Sequence, residues 1–251
     1  MGQVRHLQKT RVLSTQFQKN NTASLHSPMI NKTFLIVDDH AMFAETLGQF
    51  LRIVFKETEV LVVTSAAKAR EEASRRRIDV ALIDLELADC SGLTLLSDFA
   101  AMLDAPSTII VSMHLEAPWI ERALKTGAMG YVAKDSPPGE IVTAINSVLR
   151  GKKYLSRSVA QSFAENAVRL PVGGKELHKS LSDREFEIFL QIAQGKSLKA
   201  ISLDLKLSAK TVSVHKHNIW KKTGIDSGAR IARYCIEHGL LVGSPSHTIA
   251  A

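Results

Sequence analysis

The chain has 251 residues, 45% of them apolar and 23% charged, and a formal net charge of +7. That length allows two domains with cores of their own, and no apolar stretch approaches the 18 residues that a membrane-spanning helix requires. The two cysteines, Cys90 and Cys235, form no CxxC or Cys/His spacing, so they suggest neither a disulfide scaffold nor a zinc site, and a reducing, cytoplasmic setting is expected.

Residues 1–30 carry 4 basic and no acidic groups and are rich in Gln, Asn, Ser and Thr. Arg5, Lys9 and Arg11 have no apolar run behind them, so the segment reads as a disordered leader and not as a signal peptide.

Residues 31–150 hold 12 basic and 17 acidic groups, and here strand and helix signals alternate. Strand-like runs fall at 33–37, 59–64, 79–84, 107–112 and 130–133. Helical spacing lies between them, as in Phe43, Leu47, Phe50, Leu51 and Val54, in Ile120, Ala123, Leu124 and Gly127, and in Ile141, Ala144, Ile145 and Val148. Near-continuous apolar strands are those of a sheet covered on both faces. The expected domain is an α/β doubly wound five-stranded parallel sheet with right-handed crossovers.

Residues 151–178 contain Gly151-Lys-Lys153, Pro171 and Gly173-Gly174 and read as a linker, with a helix around 157–168. From 179 to 242 the pattern is that of a small all-α domain, with 243–251 as a tail. Ser182-Asp-Arg-Glu185 is a capping box, and Phe186, Phe189, Leu190 and Ala193 make the apolar stripe of its helix, which Gly195 ends. Helices near 198–206, near 209–222 behind Ser208, and from Ser227 or Gly228 to Gly239 follow. The middle two are joined by a tight turn, as in a helix-turn-helix. Residues 151–251 hold 16 basic and 8 acidic groups, so an acidic half precedes a basic half suited to a polyanion.

The apolar strands end in chemistry. Phe34-Leu-Ile-Val37 runs into Asp38-Asp39, Val80-Ala-Leu-Ile83 into Asp84, Thr108-Ile-Ile-Val111 into Ser112, and Gly130-Tyr-Val-Ala133 into Lys134. In an open parallel sheet the strand C-termini form the ligand-binding edge. Three carboxylates there suit a hard divalent cation, because Mg2+ takes oxygen ligands and relieves repulsion between a carboxylate nucleophile and a phosphoryl group. The backbone carbonyl of Glu86 is a further candidate ligand, Ser112 can bond a phosphoryl oxygen, and Lys134 can pair with Asp84 and then with the phosphoryl group.

In the basic half, the helix of the pair that can enter a DNA major groove is the one behind Ser208. Val212, His215 and Ile219 line its core side, with His215 as a structural histidine and Trp220 in the core. Lys210, Ser213, Val214, His217 and Lys221 line the opposite face. The lysines there suit phosphates, which position a helix without reading sequence. Ser213, Val214 and His217 suit base edges, and Thr211 suits either a phosphate or the preceding turn.

Residues 33–150 resemble a response-regulator receiver domain, a flavodoxin-like fold. The resemblance implies Asp38 and Asp39 as the acidic pair, Asp84 as phospho-acceptor, Ser112 as switch hydroxyl, Tyr131 as switch aromatic, Lys134 as the lysine, and Mg2+ as cofactor. Asp84-Leu-Glu-Leu-Ala-Asp-Cys-Ser-Gly92 departs from the family's Asp-x-x-Met-Pro-x-x-x-Gly at Leu87 and Ala88, and Met113 is larger than the family's Ala or Gly, which would crowd the phosphoryl site. Residues 179–242 resemble the LuxR/NarL-type helix-turn-helix in Leu181-Ser-Asp-Arg-Glu185, Ile201, Leu205, Leu207-Ser208, Lys210-Thr-Val212, His215 and Gly224. Here Ser213 and His217 stand where members often carry lysine, and Lys206 where Gly is common. Together these imply a NarL/FixJ-type regulator of transcription. It would be phosphorylated on Asp84 by a sensor histidine kinase, bind promoter DNA, form a homodimer when active, and have no enzyme activity beyond Mg2+-dependent gain and loss of its own phosphoryl group. Two alternatives remain: a constitutive DNA binder whose degenerate receiver serves dimerisation, and a phosphohydrolase with Asp84 as nucleophile.

Overall fold

The computed structural model describes residues 31–168 and 176–241; the expected leader and tail lie outside them. β1 (Lys32–Val37), β2 (Thr58–Val63), β3 (Val80–Ile83), β4 (Ser107–Ser112) and β5 (Gly130–Ala133) alternate with five helices. These are α1 (Ala41–Val54), α2 (Ala66–Arg75), α3 (Gly92–Ala100), α4 (Ala117–Thr126) and α5 (Pro138–Val148). The sheet has six strands where five were expected. Tyr154–Leu155 forms β6, within the stretch expected as a linker, and the order is β2-β1-β3-β4-β5-β6, with every pair parallel. Two residues carry no period of their own, and β6 exists because the open edge of β5 offers hydrogen-bonding groups that Tyr154 and Ser156 satisfy.

β3 and β5 are buried along their whole length, because helices cover both faces. Leu47 and Leu51 of α1 and Ile141 and Ile145 of α5 pack on one face, and α2, α3 and α4 pack on the other. α6 (Arg157–Val168) follows β6 and lies where a helix was expected. Ser156, fully buried, accepts from the Ala133 amide at 3.2 Å.

A 310 turn (Leu177–Ser180) leads into α7 (Asp183–Ala193), α8 (Leu198–Asp204), α9 (Ala209–Thr223) and α10 (Gly228–Glu237). The capping box forms as read: the Glu185 amide donates to the Ser182 hydroxyl, and the Ser182 amide donates to the Glu185 carboxylate at 2.8 Å. Lys222 adds an ion pair to that carboxylate at 2.6 Å, tying α9 to the start of α7.

The two halves share one apolar cluster. Trp119 of α4 meets Phe186 of α7 edge to face, with ring centroids 5.1 Å apart. Among the described residues no helix is long and apolar enough to cross a membrane.

Candidate phosphoryl site and DNA-reading face

Backbone hydrogen bonds bring the four strand ends to one edge. The Asp84 amide donates to Val37 O at 2.9 Å, the Asp38 amide to Val63 O at 3.2 Å, and the Lys134 amide to Ser112 O at 2.9 Å. Asp38, Asp84 and Lys134 each follow the last residue of their strand and meet in one crevice, while Ser112 closes β4 opposite Ala133.

Lys134 bridges two of the carboxylates, with Nζ 2.7 Å from Asp84 Oδ2 and 2.8 Å from Asp38 Oδ2. Its ammonium also sits 5.1 Å from the centre of the Phe43 ring. Asp84 is only 4% exposed. Burial pushes its carboxyl up to about 6, Lys134 pulls it back, and Asp38 adds to the rise. Burial also works against the Lys134 ammonium, but Asp84 and Asp38 outweigh it and its pKa is raised.

The loop after Asp84 is held by close packing. A Cβ on Gly92 would lie 2.0 Å from Asp84 O, so only glycine permits the approach. Asp89 accepts from the Ala66 and Ala67 amides at 3.0 and 2.9 Å, fixing the loop to the start of α2.

Asp38, Asp39, Asp84 and His40 each present a ligand atom within 4.8 Å of the others. Asp39 Oδ1 is buried and makes no well-aligned hydrogen bond, its near neighbour being the His40 imidazole, and three carboxylates in one crevice fit a hard cation. His40 was not singled out by the sequence reading. Its Nδ1 lies 3.0 Å from Asp39 Oδ1 and 3.3 Å from Asp38 Oδ1; its place directly after the acid pair was the available signal. The Glu86 amide donates to the Asp84 carboxylate, while its side chain takes a different partner, His114, at 3.1 Å.

Ser112 and Tyr131 converge on His114. The His114 amide donates to Ser112 Oγ at 3.1 Å, and the Tyr131 hydroxyl donates to His114 O at 2.6 Å. Tyr131 is fully buried. The His114 ring lies between Glu86 and Glu116, 3.1 and 3.5 Å away. Burial opposes its charge, but the two carboxylates prevail and push it up to about 10. The ring also rests on Trp119, 5.4 Å between centroids. Met113, expected to crowd the phosphoryl site, is 65% exposed, because Ser112 and His114 on either side of it take the inward positions.

The second domain roofs this crevice. Arg122 donates to His178 O at 2.8 Å and to Leu181 O at 3.2 Å, and pairs with Asp183 at 3.0 Å. Lys206, in the turn between α8 and α9, forms an ion pair with Asp39. A cavity of about 300 Å3 remains between the domains, with Asp39, Glu86, Arg184, Glu187, Lys196 and Lys206 in its wall.

On α9, Ser208 caps the helix and accepts from the Thr211 amide at 3.0 Å. The Thr211 hydroxyl bonds to Ser208 Oγ at 2.7 Å, so of the two places open to Thr211 it occupies the preceding turn. Val212 and Ile219 are buried, His215 is half-buried, and Lys210, Ser213, Val214, His217 and Lys221 are all exposed. Trp220, expected in the core, is 50% exposed and meets His217 edge to face at 5.7 Å. It stands one residue past the Val212–Ile219–Thr223 stripe and shares the outward face with Ser213 and His217 at i, i+4 and i+7.

Sheet order, strand-end acids and a capped helix pair together define a regulator built from a receiver and a DNA-binding module. Family models agree: the response regulator receiver domain matches residues 34–146, and the bacterial regulatory proteins of the luxR family match residues 179–235. The response regulator UvrY of Escherichia coli K12 is 31% identical over 216 residues, 84% of this chain and 96% of the relative. The transcriptional regulatory protein UhpA of the same organism is 31% identical over 204 residues, 80% and 96% of the two chains. Among solved structures, Salmonella RcsB bound to promoter P1flhDC has a TM-score of 0.53 at 21% identity, covering 82% of this chain and 98% of that one; that likeness bears on the fold alone. The chain belongs to the response regulators that join a receiver to a luxR-family DNA-binding domain.

Proposed function

We propose that this chain is a phosphorylation-dependent regulator of transcription that accepts a phosphoryl group on Asp84 from the phosphohistidine of a sensor kinase. The observation that carries the reading is Lys134, bridging Asp84 and Asp38 within 2.8 Å. It neutralises the acceptor before transfer and is placed to hold a phosphoryl oxygen after it.

In the transfer, a carboxylate oxygen of Asp84 attacks phosphorus, the bond from phosphorus to the donor imidazole nitrogen breaks, and the imidazole leaves with the electron pair. Mg2+ held by Asp38, Asp39, Asp84 and the Glu86 carbonyl would offset the charge of the phosphoryl oxygens. Ser112 turns its hydroxyl from the His114 amide to the phosphoryl group, Tyr131 loses its partner at His114 O, and His114 is freed to shift. Because His114 rests on Trp119 and Trp119 on Phe186, movement there loosens the seat of the second domain. No substrate is turned over, and the chemistry ends at the protein's own acyl phosphate.

The reading face of α9 is open while the module is docked, so activation does not consist of uncovering it. It consists of freeing the module to pair in a homodimer, setting two copies of α9 about one helical turn apart on promoter DNA. Lys210 and Lys221 hold phosphates, and Ser213, Val214 and His217 meet base edges, with Thr211 completing the cap. The protein works in the cytoplasm, where Cys90 and Cys235 stay reduced. Intact-mass measurement after exposure to Mg2+ and a phosphodonor tests this. One phosphoryl group is expected on the protein and none on Asp84→Asn; equal labelling of the variant removes Asp84 from the role.

A further inference from the structure

Lys206 is one of two non-glycine residues among those described with positive φ, at +51°. A left-handed residue in a tight turn is ordinarily glycine, whose lack of Cβ removes the steric cost. A lysine there needs a reason, and its side chain supplies one: Nζ reaches across 167 positions of sequence to Asp39 Oδ2. Asp39 is the carboxylate that Lys134 leaves free, since Lys134 binds Asp38 and Asp84. The Asp39 carboxylate is nearly buried, with its side chain 9% exposed; among the described lysines it meets only Lys206, and the His40 imidazole lies 3.0 Å from its other oxygen.

The other lysine in this cavity behaves differently. Lys196 pairs with Asp204 of its own domain at 2.7 Å. Of the two lysines lining this cavity, only Lys206 makes a cross-domain ion pair with a receiver carboxylate.

We propose that Lys206 is a tethered cation that competes with the divalent metal for Asp39, so that metal loading of the receiver and docking of the DNA-binding domain oppose each other. The inference rests on the reading of Asp39 as a metal ligand. With the domain docked, the ammonium occupies the charge position at Asp39 and lowers metal affinity. With the metal bound at Oδ1, the ammonium at Oδ2 shares one carboxylate with a second cation, and the repulsion between them weakens the dock. By thermodynamic linkage the two effects are the same factor read from either side. The DNA-binding domain thereby controls whether the receiver is competent for phosphotransfer, and the metal alone, before any phosphoryl group arrives, weakens the dock.

The test is calorimetric titration of the full chain with MgCl2, beside Lys206→Gly and Lys196→Ala. Glycine accepts the turn's φ, so the first variant keeps the fold. Lys206→Gly is expected to bind Mg2+ about tenfold more tightly, and Lys196→Ala to stay within about twofold of the unmodified protein. As a second readout, Mg2+ should shift Trp119 emission to the red in the unmodified chain and produce little further shift in Lys206→Gly. Equal Mg2+ affinity in the unmodified chain and Lys206→Gly overturns the competition while leaving the metal site standing. Equal tightening by Lys196→Ala also overturns it, in favour of a general electrostatic field. Absence of Mg2+ binding in all three proteins overturns the metal reading and the competition with it.

Discussion

The guanidinium of Arg122 lies over the ring of Phe186, its carbon 4.1 Å from the ring centre. The same group donates to two carbonyls at the entrance to α7 and pairs with Asp183. One receiver side chain thus holds the start of the second domain by charge, hydrogen bonds and ring face together. Arg122→Ala should weaken docking by about 2 kcal/mol. Small-angle scattering should show a larger radius of gyration than for the unmodified protein, and an unchanged radius would assign the dock to the Trp119–Phe186 contact and the Lys206–Asp39 pair.

His114 joins the phosphoryl edge to that dock. His114→Asn keeps the backbone groups that Ser112 and Tyr131 use but removes the ring that rests on Trp119. The variant should be phosphorylated within about threefold of the normal extent while phosphorylation no longer changes Trp119 emission. A normal emission change in the variant would mean that the signal travels by another route.

Gly92 gives a steric prediction. Gly92→Ala drives a methyl group into Asp84 O and Leu85 Cα. It should cost about 3 kcal/mol in chemical denaturation and abolish labelling of Asp84. A variant of normal stability and labelling would show that the loop can move aside.

Two groups give opposite pH signatures over nearly the same window. Burial raises the Asp84 carboxyl from 3.8 to about 6. Between those values the folded state holds a proton that the unfolded chain has lost, so stability falls as pH rises, and above about 6 the full cost of roughly 2–3 kcal/mol is present. Asp84→Asn should therefore be the more stable protein at pH 7.5 in EDTA, with the gain disappearing below about pH 4. Burial lowers His178 from 6.5 to about 4, with Arg122 adding to the fall and Glu176 opposing it. Its neutral ring bonds Tyr234 at 2.9 Å. Here the unfolded state takes the proton first, so stability is lost as pH falls from 6.5 to 4. Discounted for partial exposure, His178→Gln should gain about 1–2 kcal/mol on the unmodified protein over that fall. Parallel denaturation curves at pH 7.5 and 4.5 would contradict both assignments.

The strand-end groups were legible because each closes a run of apolar residues, and the capping box because its two partners are three residues apart. Local spacing carries both signals. β6 was not legible, since Tyr154 and Leu155 are strand only by virtue of the β5 edge. Trp220 was misplaced because an aromatic residue suggests a core, whereas its helical phase puts it beside His217. Arg122 and Lys206 act across 56 to 167 positions of sequence, and no period or motif reports such a contact. In Lys206 the only trace was a lysine where a turn prefers glycine.

The open face of α9 also bears on timing. Lys210 and Lys221 are exposed in the docked form, so encounter with DNA, governed by those charges and by salt, proceeds at similar rates before and after phosphorylation. What changes is how long the protein stays: a lone module dissociates quickly, and a pair engaging two half-sites dissociates slowly. Under the proposed function, a signal received at Asp84 would be written into residence time on the promoter and would leave the rate of arrival largely as it was.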